Sequence, residues 1–272
     1  MAKETSILKP TMTPVAGLRR IAHLCGSGFS EHLSGVMTSD DPEGPHRARV
    51  ALRRFRASLT GFSPVIDPAA RRAMAGEARS LFRTLGTLRD ADVRLAGCLD
   101  PAAVAGLAAE LETARTQVRQ ALTQAEAAGF PQRINASLAG DDWARTDKTG
   151  RRWHRRGLDR LAYRALSRAW QECLDNGPDL AALPVDQRHE LRKELKTLRY
   201  LAEYFAGFWP GAKRDRFLDA LRQIQDDLGL LNDLTLIDPA SAAAPDAATQ
   251  AAMLTTAAKS WKSLAKLSPW WH

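Results

Sequence analysis

Residues 46–56 read HRARVALRRFR, and this stretch of the sequence decides the fold. It predicts an α-helix, because Ala, Leu and Arg are good helix formers and no Gly or Pro follows before Gly61. At about 100° per residue, four basic side chains lie within about 80° of one another and form a stripe about 15 Å long. These are His46, Arg49, Arg53 and Arg56. A separate apolar face, roughly 120° round the helix, consists of Ala48, Leu52, Phe55, Leu59 and Phe62. We therefore expect a helix that packs through one face and binds anions along the other.

The same pattern occurs a second time in the chain. Residues 189–199 read HELRKELKTLR, so that His189 stands where the first stretch has His46. Their basic stripe consists of His189, Arg192, Lys196 and Arg199. The motif LGTLRD at residues 85–90 returns in the same register as LGLLND at residues 228–233. Upstream, GLRRIA at residues 17–22 resembles GLDRLA at residues 157–162, which aligns Arg20 with Arg160. A long-period repeat of this kind indicates a tandem duplication, with repeats at about 15–130 and 150–267.

The predicted secondary structure is entirely helical. Asp-Pro pairs and Gly-Pro breaks delimit eight helices, since Asp caps a helix start and Pro suits its first turn. They are expected at about 15–36, 42–61, 67–99, 100–128, 151–174, 189–208, 213–236 and 247–267. Residues 132–150 are interpreted as a connector, and residues 1–14 and 268–272 as tails. No stretch shows the sustained period-two alternation of a strand. The sequence thus predicts an all-α protein, built as two sets of four helices.

Composition favours an anionic partner. The net charge is +8 and the sequence pI is about 9.7, although charge carries no information on the fold. The cysteines Cys25, Cys98 and Cys173 are odd in number and lack Cys-x-x-Cys spacing, so neither a disulfide framework nor a zinc site is indicated. Residues 1–14 lack the apolar core of a signal peptide, and no apolar run is long enough to span a bilayer. We expect a cytoplasmic protein that needs no cofactor and does not insert into membranes.

The two paired motifs keep one mutual spacing, from His46 to Leu85 and from His189 to Leu228, and they resemble the CHAD domain (conserved histidine α-helical domain). The resemblance covers residues 15–267 and implies two pseudo-symmetric four-helix bundles that enclose a basic channel. It also implies that inorganic polyphosphate binds there and that the protein attaches to polyphosphate storage granules. Carried over by motif, the implicated positions are His46, Arg49, Arg53, Arg56, His189, Arg192, Lys196 and Arg199, to which the upstream repeat adds Arg20 and Arg160. The chain departs from its own first copy at Lys196 and Asn232, where that copy has Arg53 and Arg89.

The residues themselves also favour binding of a polyphosphate. If symmetry brings the two stripes together, about eight cationic or ionisable groups converge and repel one another unless an anion neutralises them. A phosphate chain suits such a site, because Arg offers a bidentate fork to phosphate oxygens and Lys a point charge. On this reading Arg53 and Lys196 contribute equally. We interpret Asp90, Asp92 and Asp233 as carboxylates that hold Arg side chains. Each Leu-Gly pair predicts a close approach of two helices, because Gly has no side chain.

Two other functions remain open at this level. Basic helices also bind nucleic acid, although both stripes lack the aromatic residues that stack on bases and the Asn or Gln that read base edges. The best place for such binding is the predicted helix 151–174, with Arg152, Arg156, Arg160, Arg164, Arg168, Trp153, Tyr163 and Trp170. A metal-dependent phosphohydrolase would use His46, His189, Asp90 and Asp233 at the symmetry axis, but the surrounding arginines argue against a cation there. The prediction is therefore a non-catalytic polyphosphate-binding protein.

Overall fold

The computed structural model describes residues 7–98, 100–124, 127–234 and 246–271; for residues 124, 233 and 234 it describes the backbone alone. These residues form ten α-helices, which confirms the all-α prediction. In chain order they are α1 (Pro14–Thr38), α2 (Glu43–Gly61), α3 (Pro68–Ala96), α4 (Pro101–Gln124), α5 (Phe130–Ala139), α6 (Lys148–His154), α7 (Leu158–Leu174), α8 (Val185–Phe205), α9 (Ala212–Leu234) and α10 (Ala247–Ala265). Within the described residues, the β-pairing is limited to one antiparallel bridge between Ile66 and Ala144.

The chain divides into two compact units. The N-terminal unit spans residues 13–156 and contains α1 to α6, whereas the C-terminal unit combines residues 7–12 with the described part of residues 157–271 and contains α7 to α10. In the N-terminal unit, α1 packs on α2 and α5, and α3 packs on both α2 and α4. In the C-terminal unit, successive helices pack on one another from α7 to α10. Each repeated motif therefore lies on a pair of packed helices, α2 with α3 and α8 with α9.

The predicted apolar faces of α2 and α8 are confirmed as core. On α2 the buried side chains are Ala48, Leu52, Phe55 and Leu59, each at most 1% exposed. On α8 they are Leu191, Leu195, Leu198, Ala202 and Phe205, each 0% exposed. Helix α2 begins at Glu43, one residue after the predicted Pro42, which is its N-cap. The backbone N–H of Glu43 donates to Asp41 Oδ1 at 2.9 Å. Burial of these faces leaves each basic stripe on a different side of its helix from the core.

The connector predicted at residues 132–150 is wrong. This segment holds most of α5 and the start of α6. Pro131 lies in the first turn of α5, where a missing N–H costs nothing, so it starts a helix instead of ending one. Phe130, Ile134 and Leu138 then follow one another at helical spacing and are buried. The Phe130 ring packs edge-on against Phe29, with 5.4 Å between the ring centroids, and this contact fixes α5 on α1.

The single basic helix predicted at residues 151–174 is also wrong. Helix α6 ends at His154 and α7 begins at Leu158, with Gly157 as its extended N-cap (ψ 155°). The first N–H groups of α7 are satisfied by a distant segment, because Leu158 donates to the carbonyl of Met12 at 2.9 Å and Asp159 to that of Pro10 at 3.3 Å. The five arginines expected on one helix are therefore divided. Arg152 lies on α6, Arg156 lies between the helices, and Arg160, Arg164 and Arg168 lie on α7.

The described ends of the chain are packed. Leu8 is 2% exposed, and Trp270 and Trp271 are 6% and 1% exposed. The Trp271 indole N–H donates to Ser167 Oγ at 3.0 Å, and both indole rings lie against Phe217. Among the helices that the structure describes, none combines the length and the apolar character that a membrane span requires.

Candidate anion-binding site

The basic stripe of α2 lies against α3, and Phe82 of α3 is at the centre of the contact. The guanidinium carbon of Arg49 lies 4.0 Å from the centroid of the Phe82 ring, that of Arg53 lies 5.1 Å away and that of Arg56 lies 6.0 Å away. Distances of this size are those of cation–π interactions. The three arginines are half-buried, whereas His46, one turn before Arg49, is exposed. The phenyl ring thus orders three neighbouring cations along α2.

The absence of a side chain at Gly86 leaves room for the Arg49 guanidinium. The Arg49 Nη1 group donates to the backbone carbonyl of Phe82 at 3.2 Å and lies directly over Gly86, where the methyl group of an alanine would overlap it. The close approach predicted for the first Leu-Gly pair is therefore present, although the neighbour is a guanidinium group of α2. The prediction is wrong for the second pair, since no atom of the described residues beyond its own turn of α9 lies within 4 Å of a Cβ at Gly229.

Helix α3 adds three further arginines to this surface. They are Arg79, Arg83 and Arg89. Burial lowers the pKa of Arg56, and the positive charges of Arg79, Arg53 and Arg83 lower it further. Burial also lowers the pKa of Arg49, with smaller effects of Asp90, which raises it, and of Arg53 and Arg89, which lower it. We call the set Arg49, Arg53, Arg56, Arg79, Arg83 and Arg89 the α2–α3 arginine cluster; its three α2 members lie over Phe82. Arginine stays protonated in proteins, so these groups repel one another while no anion is bound.

Two carboxylates border the cluster. Asp90 is exposed, and its charge is felt by Arg49. Asp92 is only 8% exposed; burial raises its pKa, against the positive charges of Arg89 and Arg115. Asp92 Oδ2 is buried without a hydrogen-bond partner among the described residues. The side chain of Asp233, the third predicted carboxylate, lies outside what the structure describes.

The second motif forms a different surface, which we call the α8–α9 face. Here Gln225 takes the position that Phe82 has in the first motif, and it accepts a hydrogen bond from Arg199 Nη1 at 3.1 Å. Arg199 Nε donates to Glu203 Oε1 at 2.7 Å, and Gln225 Nε2 donates to the carbonyl of Leu195 at 2.7 Å. His189 Nδ1 lies 3.1 Å from Asn232 Oδ1. Arg192 and Lys196 are half-buried on the same helix. Polar contacts thus replace the aromatic contacts of the first motif.

The two outlying predicted residues are exposed. Arg20 lies on α1, and Arg160 lies on α7 with its Nε 3.9 Å from Asp159 Oδ2.

That the two stripes meet at one site remains a prediction. The same holds for the metal site of His46, His189, Asp90 and Asp233. Among the described residues, no group of three or more His, Cys, Asp or Glu side chains is placed to hold a metal ion.

Sequence reasoning missed Phe82 and Arg83 and gave Arg79 no role. The signal was present on α3, where residues 79, 82, 83, 86 and 90 follow helical spacing and so occupy one face. Phe82 also changes the argument about stacking. The stripe on α2 has no aromatic residue of its own, but α3 supplies one, and Arg49 occupies a face of that ring at 4.0 Å.

Comparisons with known proteins agree with this architecture. The CHAD domain family model matches residues 20–238. Among solved structures, the chain is similar to the CHAD domain from the plant Ricinus communis at 20% identity, with 97% of this chain and 90% of that chain covered and a TM-score of 0.70. It is also similar to PptA from Streptomyces chartreusis at 19% identity, with 93% and 95% covered and a TM-score of 0.52. No curated protein gave a significant match. At these identities the structures show a common fold, and the family model shows that this chain belongs to the CHAD domain family.

Proposed function

We propose that this protein binds inorganic polyphosphate through its basic helix faces and does not transform it. The observation that carries the proposal is the α2–α3 arginine cluster. The guanidinium groups of Arg49, Arg53 and Arg56 lie over one phenyl ring, and the α3 arginines act on them electrostatically. After the larger effect of burial, the positive charges of Arg79, Arg53 and Arg83 lower the pKa of Arg56. A polyanion that lies across the cluster removes this repulsion, so its binding is favoured by the apo protein's own electrostatics.

The shape of the cluster suits a linear chain of phosphates. The α3 arginines extend from Arg79 to Arg89, which is about 15 Å along the helix axis at about 1.5 Å per residue. Polyphosphate offers a negative charge at every phosphate unit, and each guanidinium can donate two parallel hydrogen bonds to phosphate oxygens. The proposed ligand-binding residues include those of both stripes. His46, Arg49, Arg53 and Arg56 are the principal contacts. His189, Arg192, Lys196 and Arg199 of the second stripe, with Arg20 and Arg160, are weaker, outlying contacts.

The chemistry of these side chains supports binding rather than catalysis. A guanidinium group has no lone pair to act as an acceptor and does not lose its proton in a protein, so it cannot serve as a general base or a nucleophile. Arg192, Lys196 and Arg199 likewise provide positive charge. Bound in this way, the protein would attach to cytoplasmic polyphosphate granules.

A polyphosphate ligand fits the cluster better than nucleic acid does. Single-stranded nucleic acid is usually held by bases stacked on aromatic side chains. Phe82 is the aromatic residue within this cluster, and stacking on the face that carries Arg49 would require the guanidinium group to move. A phosphate chain needs no such rearrangement, because it contacts the guanidinium groups where they lie.

The proposal is tested by competition. The full chain is saturated with labelled long-chain polyphosphate and challenged with unlabelled single-stranded DNA of matched total charge, with and without excess EDTA. We expect DNA to compete poorly, the bound fraction to persist in EDTA, and the affinity to fall steeply with salt. Equal or better competition by DNA would favour the nucleic-acid alternative. Binding that is lost in EDTA and restored by Mg²⁺ would favour the metal site.

A further inference from the structure

The two basic faces carry different charge. Beyond the stripes, α3 contributes the cations Arg79, Arg83 and Arg89. The equivalent positions of the second motif, on α9, are Arg222, Asp226 and Asn232. One arginine is thus kept, one is replaced by a carboxylate and one by a neutral amide. The six cations of the α2–α3 arginine cluster compare with four on the α8–α9 face, which are Arg192, Lys196, Arg199 and Arg222.

Two of the cations on the α8–α9 face already have acidic partners. Arg199 Nε lies 2.7 Å from Glu203 Oε1, and Arg222 Nη1 lies 2.8 Å from Asp219 Oδ1. The corresponding positions of the N-terminal unit are Thr60 and Gly76, which carry no charge. The equivalent arginines Arg56 and Arg79 therefore have no carboxylate at the places where Arg199 and Arg222 have theirs.

This difference in charge determines how favourably each face binds a polyanion. A phosphate that approaches Arg199 competes with a carboxylate for the same N–H donors and is repelled by Asp226. A phosphate that approaches Arg56 meets Arg53, Arg79 and Arg83, whose mutual repulsion it relieves. The Arg222–Asp219 pair is exposed and the Arg199–Glu203 pair is half-buried. Ion pairs between neighbouring turns of a helix add little to folding, so their main consequence is to neutralise the surface.

We infer that the α2–α3 arginine cluster is a self-sufficient polyphosphate site, with Arg79, Arg83 and Arg89 as ligand-binding residues, and that the α8–α9 face contributes little to affinity. The inference rests on the proposed function and deepens it, because it gives the ligand one principal binding surface within the N-terminal unit. A linear condensed phosphate long enough to span about 15 Å of α3 fills that surface. Chains longer than this should then bind that site with an affinity similar to that of a chain that just spans it.

The test uses two double variants at equivalent positions of the full chain. Arg56→Gln with Arg79→Gln removes two arginines of the cluster, and Arg199→Gln with Arg222→Gln removes their counterparts on the α8–α9 face. Each double variant removes two positive charges, and the two variants change equivalent positions of the duplicated motif. We expect the first to weaken polyphosphate binding at least about tenfold and the second less than about threefold, as measured by titration calorimetry. Circular dichroism confirms that both variants keep their helices.

A gain-of-function variant tests the same inference from the other side. Glu203→Gln with Asp226→Arg removes two of the charge differences between the α8–α9 face and the first motif, and leaves Asp219 and Asn232 in place. It should raise the affinity or the number of polyphosphate sites by about twofold or more. Equal losses in the two double variants, or no gain here, would overturn the inference and leave the proposed function standing. A wild-type chain that does not bind polyphosphate would overturn both.

Discussion

Helices α2 and α8 bury the same positions, but their basic stripes have different neighbours. Leu52 and Leu195 are equivalent in the duplication and are 1% and 0% exposed. Above them, Phe82 holds the guanidinium groups of the first stripe, whereas Gln225 links Arg199 to the backbone of the second. The comparison teaches that the apolar framework of this motif sets the fold, while the adjoining helix decides what the stripe can bind.

The largest expected difference between the halves concerns Arg53 and Lys196. Arg53→Glu places a carboxylate inside the α2–α3 arginine cluster, which removes a phosphate ligand and adds repulsion, so we expect a loss of affinity of about 100-fold. Lys196→Glu changes a surface that already carries Glu203 and Asp226, and we expect a loss of about threefold or less. Titration of both variants with long-chain polyphosphate checks the pair. Equal losses would restore the symmetric site that the sequence predicts.

Substitution of Phe82 should weaken binding, whereas substitution of Gln225 should lower stability. Phe82→Leu keeps an apolar side chain but removes the ring beneath three guanidinium groups, and we expect about fivefold weaker binding with little change in stability. Gln225→Leu breaks the hydrogen bonds to Leu195 and Arg199 and should cost about 1 kcal/mol of unfolding free energy, with little change in affinity. Urea denaturation and polyphosphate titration separate the two outcomes. Weaker binding in the Gln225 variant alone would contradict the account.

Alanine substitutions at the two equivalent glycines, Gly86 and Gly229, should differ by a smaller amount. Gly86→Ala must displace the Arg49 guanidinium, so we expect binding to weaken about threefold, while the gain in helix propensity offsets the local rearrangement in stability. Gly229→Ala enters open space and should raise the unfolding free energy by about 0.5–1 kcal/mol without a change in binding. Thermal unfolding and titration measure both. A Gly86 variant with unchanged affinity would remove the role given to Arg49.

The smallest effect concerns one carboxyl group in each unit. Burial raises the pKa of Asp92 above its ordinary 3.8, and burial likewise raises the pKa of Glu194 above its ordinary 4.5. A carboxyl group with a raised folded-state pKa stabilises the fold when it is protonated, and this stabilisation is lost as the pH rises through that pKa. Asp92→Asn and Glu194→Gln should each reduce the loss of stability between pH 4 and neutral pH, as urea denaturation would show. A steeper loss in either variant would reverse the assigned sign.

The sequence predicted the helices well where apolar residues repeat every three or four positions, as on α2 and α8. It failed at Gly157, because the N–H groups that begin α7 are satisfied by Met12 and Pro10, which lie near the start of the chain. It also treated each basic stripe as a property of one helix. The contribution of α3 to the arginine cluster arises from packing between helices, and the difference between Phe82 and Gln225 gains its meaning only from what those side chains contact.

Arginine footprinting tests the central claim most directly, without any substitution. The wild-type chain is treated with an arginine-selective dicarbonyl reagent, with and without saturating long-chain polyphosphate, and modification is read at each residue by mass spectrometry. The account predicts that polyphosphate protects Arg53, Arg56, Arg79 and Arg83 strongly and leaves Arg199 and Arg222 nearly as reactive as before. Protection that is equal in both motifs, or greater at Arg199 and Arg222, would contradict it.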